Sequence, residues 1–326
     1  MNAASIDPEG LIFAFRLDTG ERLKKSALEL EAGVDEGPLW LHFNLYDNRT
    51  KRHLERFAFV DEEARALLVG SDAQVRILVL NEGFAAVLGD FHHEFNQDAE
   101  AFGKFRVYVD PRVIITCRQQ SLRGIDILRR RVESGETAES PAELFERLVR
   151  AIAVGFTDVA LKLGDWVEDA EDDVLAGKVG MRGGELGRIR RLLARLRRHA
   201  SANRNALRPL PDLLGEWCLP EQAQRLREAV ERLDAVGQDL ELVTERARLV
   251  QEEIERRLNE ATGRNLYLLS ILTTTLLPIT LITGIFGMNL NGMPFANSPH
   301  GFWTVMLVIT VAIVGVMLAM RRRGVF

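Results

Sequence analysis

Residues 265–320 read NLYLLSILTTTLLPITLITGIFGMNLNGMPFANSPHGFWTVMLVITVAIVGVMLAM, which is 56 consecutive positions without Asp, Glu, Lys or Arg. A globular domain keeps charged groups on its solvated surface, so this stretch excludes a wholly soluble protein. Its apolar content equally excludes a disordered one. We expect no signal peptide, because the stretch lies near the C-terminus and Met1–Gly10 lacks a basic, apolar head.

The charge-free stretch consists of two apolar segments, Leu266–Met288 and Gly301–Met320, joined by a segment rich in turn-forming residues. A helix rises ~1.5 Å per residue, so about 20 residues cross the ~30 Å hydrocarbon core of a bilayer. We therefore predict a hairpin of two transmembrane helices. Its parts are a first span at 266–288, a loop at 289–300, a second span at 301–320 and a basic tail at 321–326.

Arginines flank this hairpin at its two outer ends. Arg256, Arg257 and Arg264 precede the first span, Arg321–Arg323 follow the second, and the loop between them has neither Lys nor Arg. The positive-inside rule then places both ends in the cytoplasm and the short loop outside. We predict a multi-pass protein of a bacterial-type inner membrane, in contact with lipid, with a cytoplasmic N-terminal domain.

One face of the first span carries small and hydroxylated residues, at 100° per residue. This face consists of Ser270, Thr273, Leu277, Thr280, Gly284, Gly287 and Met288. Such a face either lets helices pack closely or lines water, and both interpretations stay open. One hairpin cannot enclose a water path, so a pore requires a homo-oligomer with cyclic symmetry.

A long amphipathic helix is predicted upstream of the first span. No proline interrupts residues 221–277, and apolar residues recur every three or four positions from Leu226 to Ala261. This spacing is typical of an amphipathic or coiled-coil stripe, and we assign 221–265 as a stalk helix continuous with the span. The opposite face is either simply solvated or, in a ring of helices, the wall of a cation-attracting cytoplasmic vestibule. Its glutamates are Glu241, Glu245, Glu252 and Glu255.

The residues before the stalk predict an α+β domain. Residues 1–140 alternate β-branched or aromatic runs with two helical segments, Asp61–Val69 and Leu122–Val132. The predicted strands are Leu11–Leu17, Leu39–Leu45, Val75–Leu80, Phe84–Phe91, Phe105–Val109 and Val113–Arg118. Residues 141–220 predict a helical hairpin in which an acidic run at 165–173 faces an arginine-rich helix from Glu185. That run either neutralises the arginines or binds cations.

Net charge limits the partners of this domain. The chain has 42 basic and 47 acidic residues, and the only charged side chains after Arg264 are Arg321–Arg323. The part up to Arg264 therefore has 39 basic against 47 acidic residues and a net charge of −8. We do not expect nucleic acid to bind so acidic a domain. The two cysteines, Cys117 and Cys218, are predicted to be reduced thiols.

Recognisable catalytic motifs are absent from the sequence, which has neither a Gly-rich phosphate loop nor HExxH. We predict that the protein is not an enzyme and has no cofactor. His92–His93–Glu94 either ligates a metal or lies in a surface loop, His42 is interpreted as structural, and His199 as solvated. His300 lies in the outer loop, where it either binds a soft divalent ion or has no role.

The first span ends in Gly284-Ile285-Phe286-Gly287-Met288-Asn289, which resembles the Gly-Met-Asn signature of the CorA family of metal ion transporters. The order of domain, stalk, spans and basic tail is similar to that family over the whole chain. The resemblance implies a funnel-shaped homopentamer that carries divalent cations. It implies that Asn289 forms an outer polar ring for a hydrated cation and that Gly287 and Met288 shape the mouth. It also implies a pore lined by Thr280, Leu277, Thr273, Leu269 and Leu266.

The loop after the signature resembles the zinc-transporting ZntB branch of this family, as do residues 184–205. Magnesium transporters of the family usually carry acids around a Met-Pro pair, whereas Met293-Pro294 here is flanked by the neutral Asn291 and Phe295. We predict zinc uptake, with proton coupling as a further hypothesis. Neither span contains Asp, Glu or His, so a proton carrier would be His300, an outer polar group or water. The alternatives are a magnesium, cobalt or nickel channel and a membrane-anchored sensor or scaffold without transport.

Overall fold

The computed structural model describes residues 10–24, 36–92, 102–178, 183–288 and 299–322. The chain divides into two compact units, Met1–Gln251 and Glu252–Phe326. The first unit contains a mixed sheet with helices, and the described part of the second is helical. The predicted sequence of an α/β domain, a long helix and a C-terminal helix is therefore confirmed.

Six strands form one sheet in the order β1-β2-β6-β5-β4-β3. The strands are β1 (Leu11–Arg16), β2 (Leu39–Asn44), β3 (Arg76–Leu80), β4 (Gly83–Phe91), β5 (Phe102–Val109) and β6 (Val113–Arg118). β2 and β6 run parallel, and the other neighbouring strands are antiparallel. All six predicted strands are present. β5 begins earlier than predicted, at Phe102, whose ring packs against Phe91 with 4.7 Å between centroids.

Helices α1 (Asn48–Leu54) and α2 (Glu62–Val69) cover one face of the sheet. Their Leu54 and Leu68 share a buried cluster with Leu41 of β2. Helix α1 was not predicted, because its residues NRTKRHL have no apolar periodicity. Asp47 begins this helix by accepting a hydrogen bond from the backbone N–H of Arg49 at 2.8 Å.

Helices α3 (Arg123–Glu133), α4 (Pro141–Leu175) and α5 (Gly183–Leu207) follow the last strand. Phe145 of α4 packs edge-on against Phe84 of β4, with ring centroids 4.8 Å apart. Ser140 caps α4 by accepting from the backbone N–H of Glu143, and Pro141 occupies the first helical position. The predicted helical hairpin is thus present, and its first helix ends at Leu175.

His42 lies inside the first unit and has no surface exposure. Its Nδ1 is 2.8 Å from Oγ1 of Thr116, which also accepts a hydrogen bond from Nε1 of Trp40 at 2.9 Å. Burial, and then the charge of Arg118, hold the pKa of His42 well below its ordinary value. The imidazole is therefore a neutral part of the core, as the structural interpretation predicted. Both cysteines are buried and free, in agreement with the predicted thiols.

A single helix, α7, runs from Pro220 to Phe286, after a short helix α6 (Leu210–Leu213) and a 3₁₀ turn at Gly215–Trp217. In the first unit its apolar stripe is buried within the chain itself. The buried residues are Leu226, Val230, Leu233, Val236, Leu240, Ala247 and Val250. The backbone of α4 comes close at Gly164, where an added Cβ would lie 3.7 Å from Cγ2 of Val243. The stripe is thus a core-facing surface of one protomer, which favours the amphipathic interpretation over a coiled coil.

Two arginines of α5 pair with α7. Arg197 lies 3.0 Å from Glu241, and Arg204 lies 3.1 Å from Asp234. Arg197, one of the arginines predicted to neutralise the acidic run of α4, thus pairs with α7 instead. The reason is that α7 also lies alongside α5 and offers its own carboxylates.

The second unit contains the end of α7 and helix α8 (Gly301–Arg322). Both helices are long and apolar enough to cross a membrane, and the apolar window of α7 has no buried residue. α7 remains helical through Pro278, whose missing N–H leaves the carbonyl of Thr274 without its usual helical donor. Most of the loop, residues 289–298, lies outside the described residues, as does His93–Glu94 in the first unit.

Candidate functional site

The residues predicted to line the pore share one surface of α7, which we call the pathway face. It consists of Leu266, Leu269, Thr273, Leu277 and Thr280. All five are exposed in the protomer, and Leu277 is 68% exposed. The turns between them place half-buried residues on another side of the helix, at Ile271, Thr275, Pro278 and Ile282. The pathway face is therefore free of contacts within its own unit that would cover it.

Helix α8 also has one half-buried stripe and one exposed surface. Ile309, in the middle of the span, is 9% exposed, and the half-buried Val305, Ala312 and Val316 lie on the same side of the helix. We interpret the half-buried stripes of α7 and α8 as the surfaces on which the two helices of this unit pack. Leu307, Val311 and Leu318 of α8 are apolar and exposed, which suits contact with lipid hydrocarbon.

Threonine hydroxyls on the pathway face bond to their own helix. Oγ1 of Thr273 donates to the carbonyl of Leu269 at 2.8 Å, and Oγ1 of Thr280 donates to that of Leu276 at 2.9 Å. These bonds use the only O–H donor of each side chain and leave its oxygen lone pairs available. The face thus offers acceptors between its leucines, and such acceptors suit the water protons around a hydrated cation.

α7 ends at the predicted mouth. The backbone N–H of Gly287 donates to the carbonyl of Thr283 at 2.8 Å, and that of Met288 donates to Ile285 at 3.3 Å. A Cβ at Gly287 would lie 3.0 Å from the Thr283 carbonyl oxygen, so glycine lets this last turn close without crowding. Asn289, the residue expected to receive the ion, lies outside the described residues, and its role stays a prediction.

At the start of α8, the carbonyl of His300 accepts hydrogen bonds from the backbone N–H and from Oγ1 of Thr304, both at 3.1 Å. Phe302 and Trp303 are 70% and 72% exposed and pack edge-on, with centroids 5.6 Å apart. Aromatic rings in this position are typical of the membrane interface. Metal binding by the His300 imidazole stays a prediction.

The four vestibule glutamates divide between the units. Glu241 is paired with Arg197, and Glu245 lies 3.7 Å from Arg248. Glu252 and Glu255, in the second unit, are exposed. Arg197 and Arg248 therefore offset part of the negative potential of Glu241 and Glu245.

Glu253 is a neighbouring carboxylate that the sequence analysis missed. Its oxygens accept from Nη2 of Arg256 at 2.7 Å and from Nε of Arg257 at 2.6 Å. These hydrogen bonds lower the pKa of Glu253 to about 2, so the carboxylate stays ionised. The i, i+3 and i, i+4 spacing of these three residues could have revealed the cluster. Glu253 therefore pairs with two of the arginines that precede the first span, Arg256 and Arg257.

The described residues contain no group of three or more His, Cys, Asp or Glu side chains that could hold a metal ion. His92 forms an isolated bridge with Leu122 and lies at the edge of a cavity in the first unit. His199, predicted to be solvated, instead stacks on Phe102 with ring centroids 4.5 Å apart. The prediction was wrong because α5 packs this histidine against the start of β5.

Comparisons with known proteins identify the family. The model of the family described as CorA-like Mg2+ transporter protein matches residues 35–323. The chain is 27% identical over 313 residues to the zinc transport protein ZntB of Pectobacterium atrosepticum, covering 96% of this chain and 95% of that protein. It is 28% identical over 308 residues to the divalent cation transporter CmaX of Pseudomonas aeruginosa, covering 93% of each.

Solved structures agree with these matches. The full-length CmaX protein is similar with a TM-score of 0.83 at 27% identity, covering 98% of this chain and 99% of that one. The CorA magnesium transporter from Methanocaldococcus jannaschii is similar with a TM-score of 0.77 at 17% identity, covering 96% and 98%. The latter likeness supports the fold alone.

Proposed function

We propose that this chain, which belongs to the CorA family of divalent cation transporters, forms a homopentameric zinc-uptake protein of the bacterial inner membrane. The observation that carries the proposal is the pathway face, a row of leucines and threonines left uncovered in a protomer. One protomer cannot enclose water, so this face would line a water path only where copies surround an axis.

In such a ring, selection would begin at the mouth. Asn289 from each copy would present an amide oxygen to the water shell of an arriving cation. Contact through water avoids the cost of stripping a strongly hydrated divalent ion. Gly287 and Met288 would set the width of this mouth, because Gly287 allows the last turn of α7 to close tightly.

Across the membrane, the wall of the pathway would alternate between polar and apolar side chains. Thr280 and Thr273 would accept hydrogen bonds from the ion's waters, since their own O–H groups are bonded to the helix. Leu277, Leu269 and Leu266 would form apolar rings, which close a pore by expelling water when narrow. On the cytoplasmic side, four glutamates would line a vestibule, and their negative charge would raise the local cation concentration. They are Glu255, Glu252, Glu245 and Glu241.

Two observations support zinc over magnesium. The loop at 289–300 contains no acid that could hold a magnesium shell, and the chain resembles a protein named for zinc transport along nearly its whole length. His300, the last residue of this loop, adds an imidazole, which is a good zinc ligand. A magnesium, cobalt or nickel channel is the alternative, and CmaX is named only for divalent cations.

The test is ion flux by the full-length protein in proteoliposomes loaded with a metal-sensitive dye. We expect zinc to enter faster than magnesium, cobalt or nickel. The same measurement with a pH gradient, applied in either direction, shows whether protons move with zinc. Magnesium as the preferred ion would contradict the zinc assignment, and no flux for any of these ions would favour a tethered sensor or scaffold.

A further inference from the structure

A cavity of ≈ 340 Å³ lies in the first unit at one end of the sheet. β4 and β6 finish there and β5 begins there, because β5 is antiparallel to both neighbours. His92 follows β4, Lys104 stands near the start of β5, and Gln119 and Gln120 follow β6. Helix α5 adds His199 to the wall. The cavity is remote in sequence from every residue assigned to ion transport.

The charge of the described wall is positive. Lys104 and Arg106 line the cavity, the two glutamines add neutral donors, and none of the described lining residues is Asp or Glu. This is unexpected for a part of the chain whose net charge is −8. The nearest acidic residue in sequence, Asp72, accepts from the backbone N–H of Gln74 at 2.9 Å and pairs with Arg76.

Arg106 is a buried cation with an incomplete set of partners. It is only 8% exposed, and its Nη2 donates to the carbonyl oxygens of Gly70 at 2.6 Å and Asp72 at 3.3 Å. Its Nε is buried and has no hydrogen-bond partner among the described residues. A buried cation without a direct carboxylate partner is costly, so an anion in the cavity would stabilise it.

The neighbouring groups extend this positive region. Nζ of Lys104 donates to the carbonyl of Ala73, which uses one of its three N–H donors. The pKa of His199 is lowered to about 4 by burial and then by the charges of Lys104, Arg195 and Arg198. Its imidazole is therefore neutral near pH 7. Three cations acting on one ring mark a positive potential at this wall.

We propose that this cavity binds a small phosphate ester, with its phosphate on Lys104 and Arg106 and its organic part against Phe102 and Leu122. Arginine and lysine are the side chains that recognise phosphate oxygens. The volume lies within the range of about 300–1,000 Å³ typical of small-molecule sites and exceeds what a lone phosphate fills. Phe102 and Leu122 supply an apolar wall for the remainder of the ligand.

Calorimetric titration of the full-length protein in detergent tests this proposal. The probes are inorganic phosphate and three monoesters: adenosine 5′-monophosphate, glucose 6-phosphate and glycerol 3-phosphate. We expect at least one ester to bind about ten-fold more tightly than inorganic phosphate. If none of the three does so, or if inorganic phosphate binds equally well, the ester proposal is overturned.

Variants locate the binding. Lys104→Ala should weaken the best ester by at least about ten-fold, because an ionic hydrogen bond is lost, and Lys104→Glu should abolish binding. Lys104 is exposed, so neither change threatens the core. Lys162→Ala, at an exposed position of α4, is the matched control and should bind normally. Unchanged binding by Lys104→Glu would exclude this cavity. The measurement needs no ion flux, so its outcome is independent of the transport proposal.

Discussion

Asn203 of α5 completes the hydrogen bonding of the sheet where β3 stops short. β3 pairs with β4 only as far as Val87, so Gly89 has no strand neighbour on that side. Oδ1 of Asn203 accepts from the backbone N–H of Gly89 at 2.9 Å, and Nδ2 donates to its carbonyl at 2.7 Å. The side chain is 1% exposed, so both bonds are buried.

The cost of Asn203→Ala can be worked out from these two bonds. The substitution leaves an N–H and a C=O of Gly89 buried without partners, and each such group costs about 1–3 kcal/mol. We expect local stability to fall by about 2–6 kcal/mol, which corresponds to a loss of hydrogen-exchange protection of roughly 30- to 20,000-fold. Asn205→Ala, two residues along the same helix and exposed, should change protection little.

The assay is hydrogen exchange by mass spectrometry on the full-length protein, followed in peptides from β4 and from the last turns of α5. Faster exchange in Asn203→Ala should be confined to these segments and should spare the spans. Equal protection in the Asn203→Ala and Asn205→Ala variants would refute the reasoning, because it would mean that the paired amide adds nothing to the attachment of α5.

Three further predictions concern the long helix and one buried acid. Leu240→Ala, at a fully buried position, should lower the free energy of unfolding by about 2–5 kcal/mol, whereas the 66% exposed Leu242 should tolerate the same change in denaturant titrations followed by Trp fluorescence. Thr280→Val should slow zinc flux several-fold because it removes an acceptor oxygen, and Thr275→Val, on the half-buried side, should not. Burial raises the pKa of Asp90 from 3.8 to about 7, so the folded state holds a proton that the unfolded chain releases. The free energy of unfolding should therefore fall as the pH rises from about 4 to 7, by at most about 1.4 kcal/mol per pH unit. Asp90→Asn should flatten this slope.

The helices and strands were predicted well where burial requires apolar residues to recur at a regular spacing. The six strands and the helices at Pro141 and Pro220 carry strong apolar patterns, and all are present. α1 was missed because its helix is stabilised by the Asp47 cap and by burial of a few side chains. Strand order could not be predicted, since alternation shows which face is buried but not which distant strand lies beside it.

The candidate site was predictable to the level of a helix face. A period of 100° per residue places Thr273, Leu277 and Thr280 together, and all three are exposed. The partner of the upstream stripe was not predictable, because the same spacing suits a coiled coil and a helix packed on its own domain. His199 was misjudged for a similar reason, since adjacent arginines do not reveal that Phe102 covers its ring.

In the proposed mechanism, zinc moves along an axis of pathway faces that begins at Asn289. The most direct test is the initial rate of zinc uptake into proteoliposomes by the wild type, Asn289→Ala and the loop control Asn297→Ala at equal protein incorporation. We predict saturable uptake by the wild type and the Asn297→Ala variant, and its loss or loss of ion preference in Asn289→Ala. Unchanged rate and ion preference in Asn289→Ala would contradict the account.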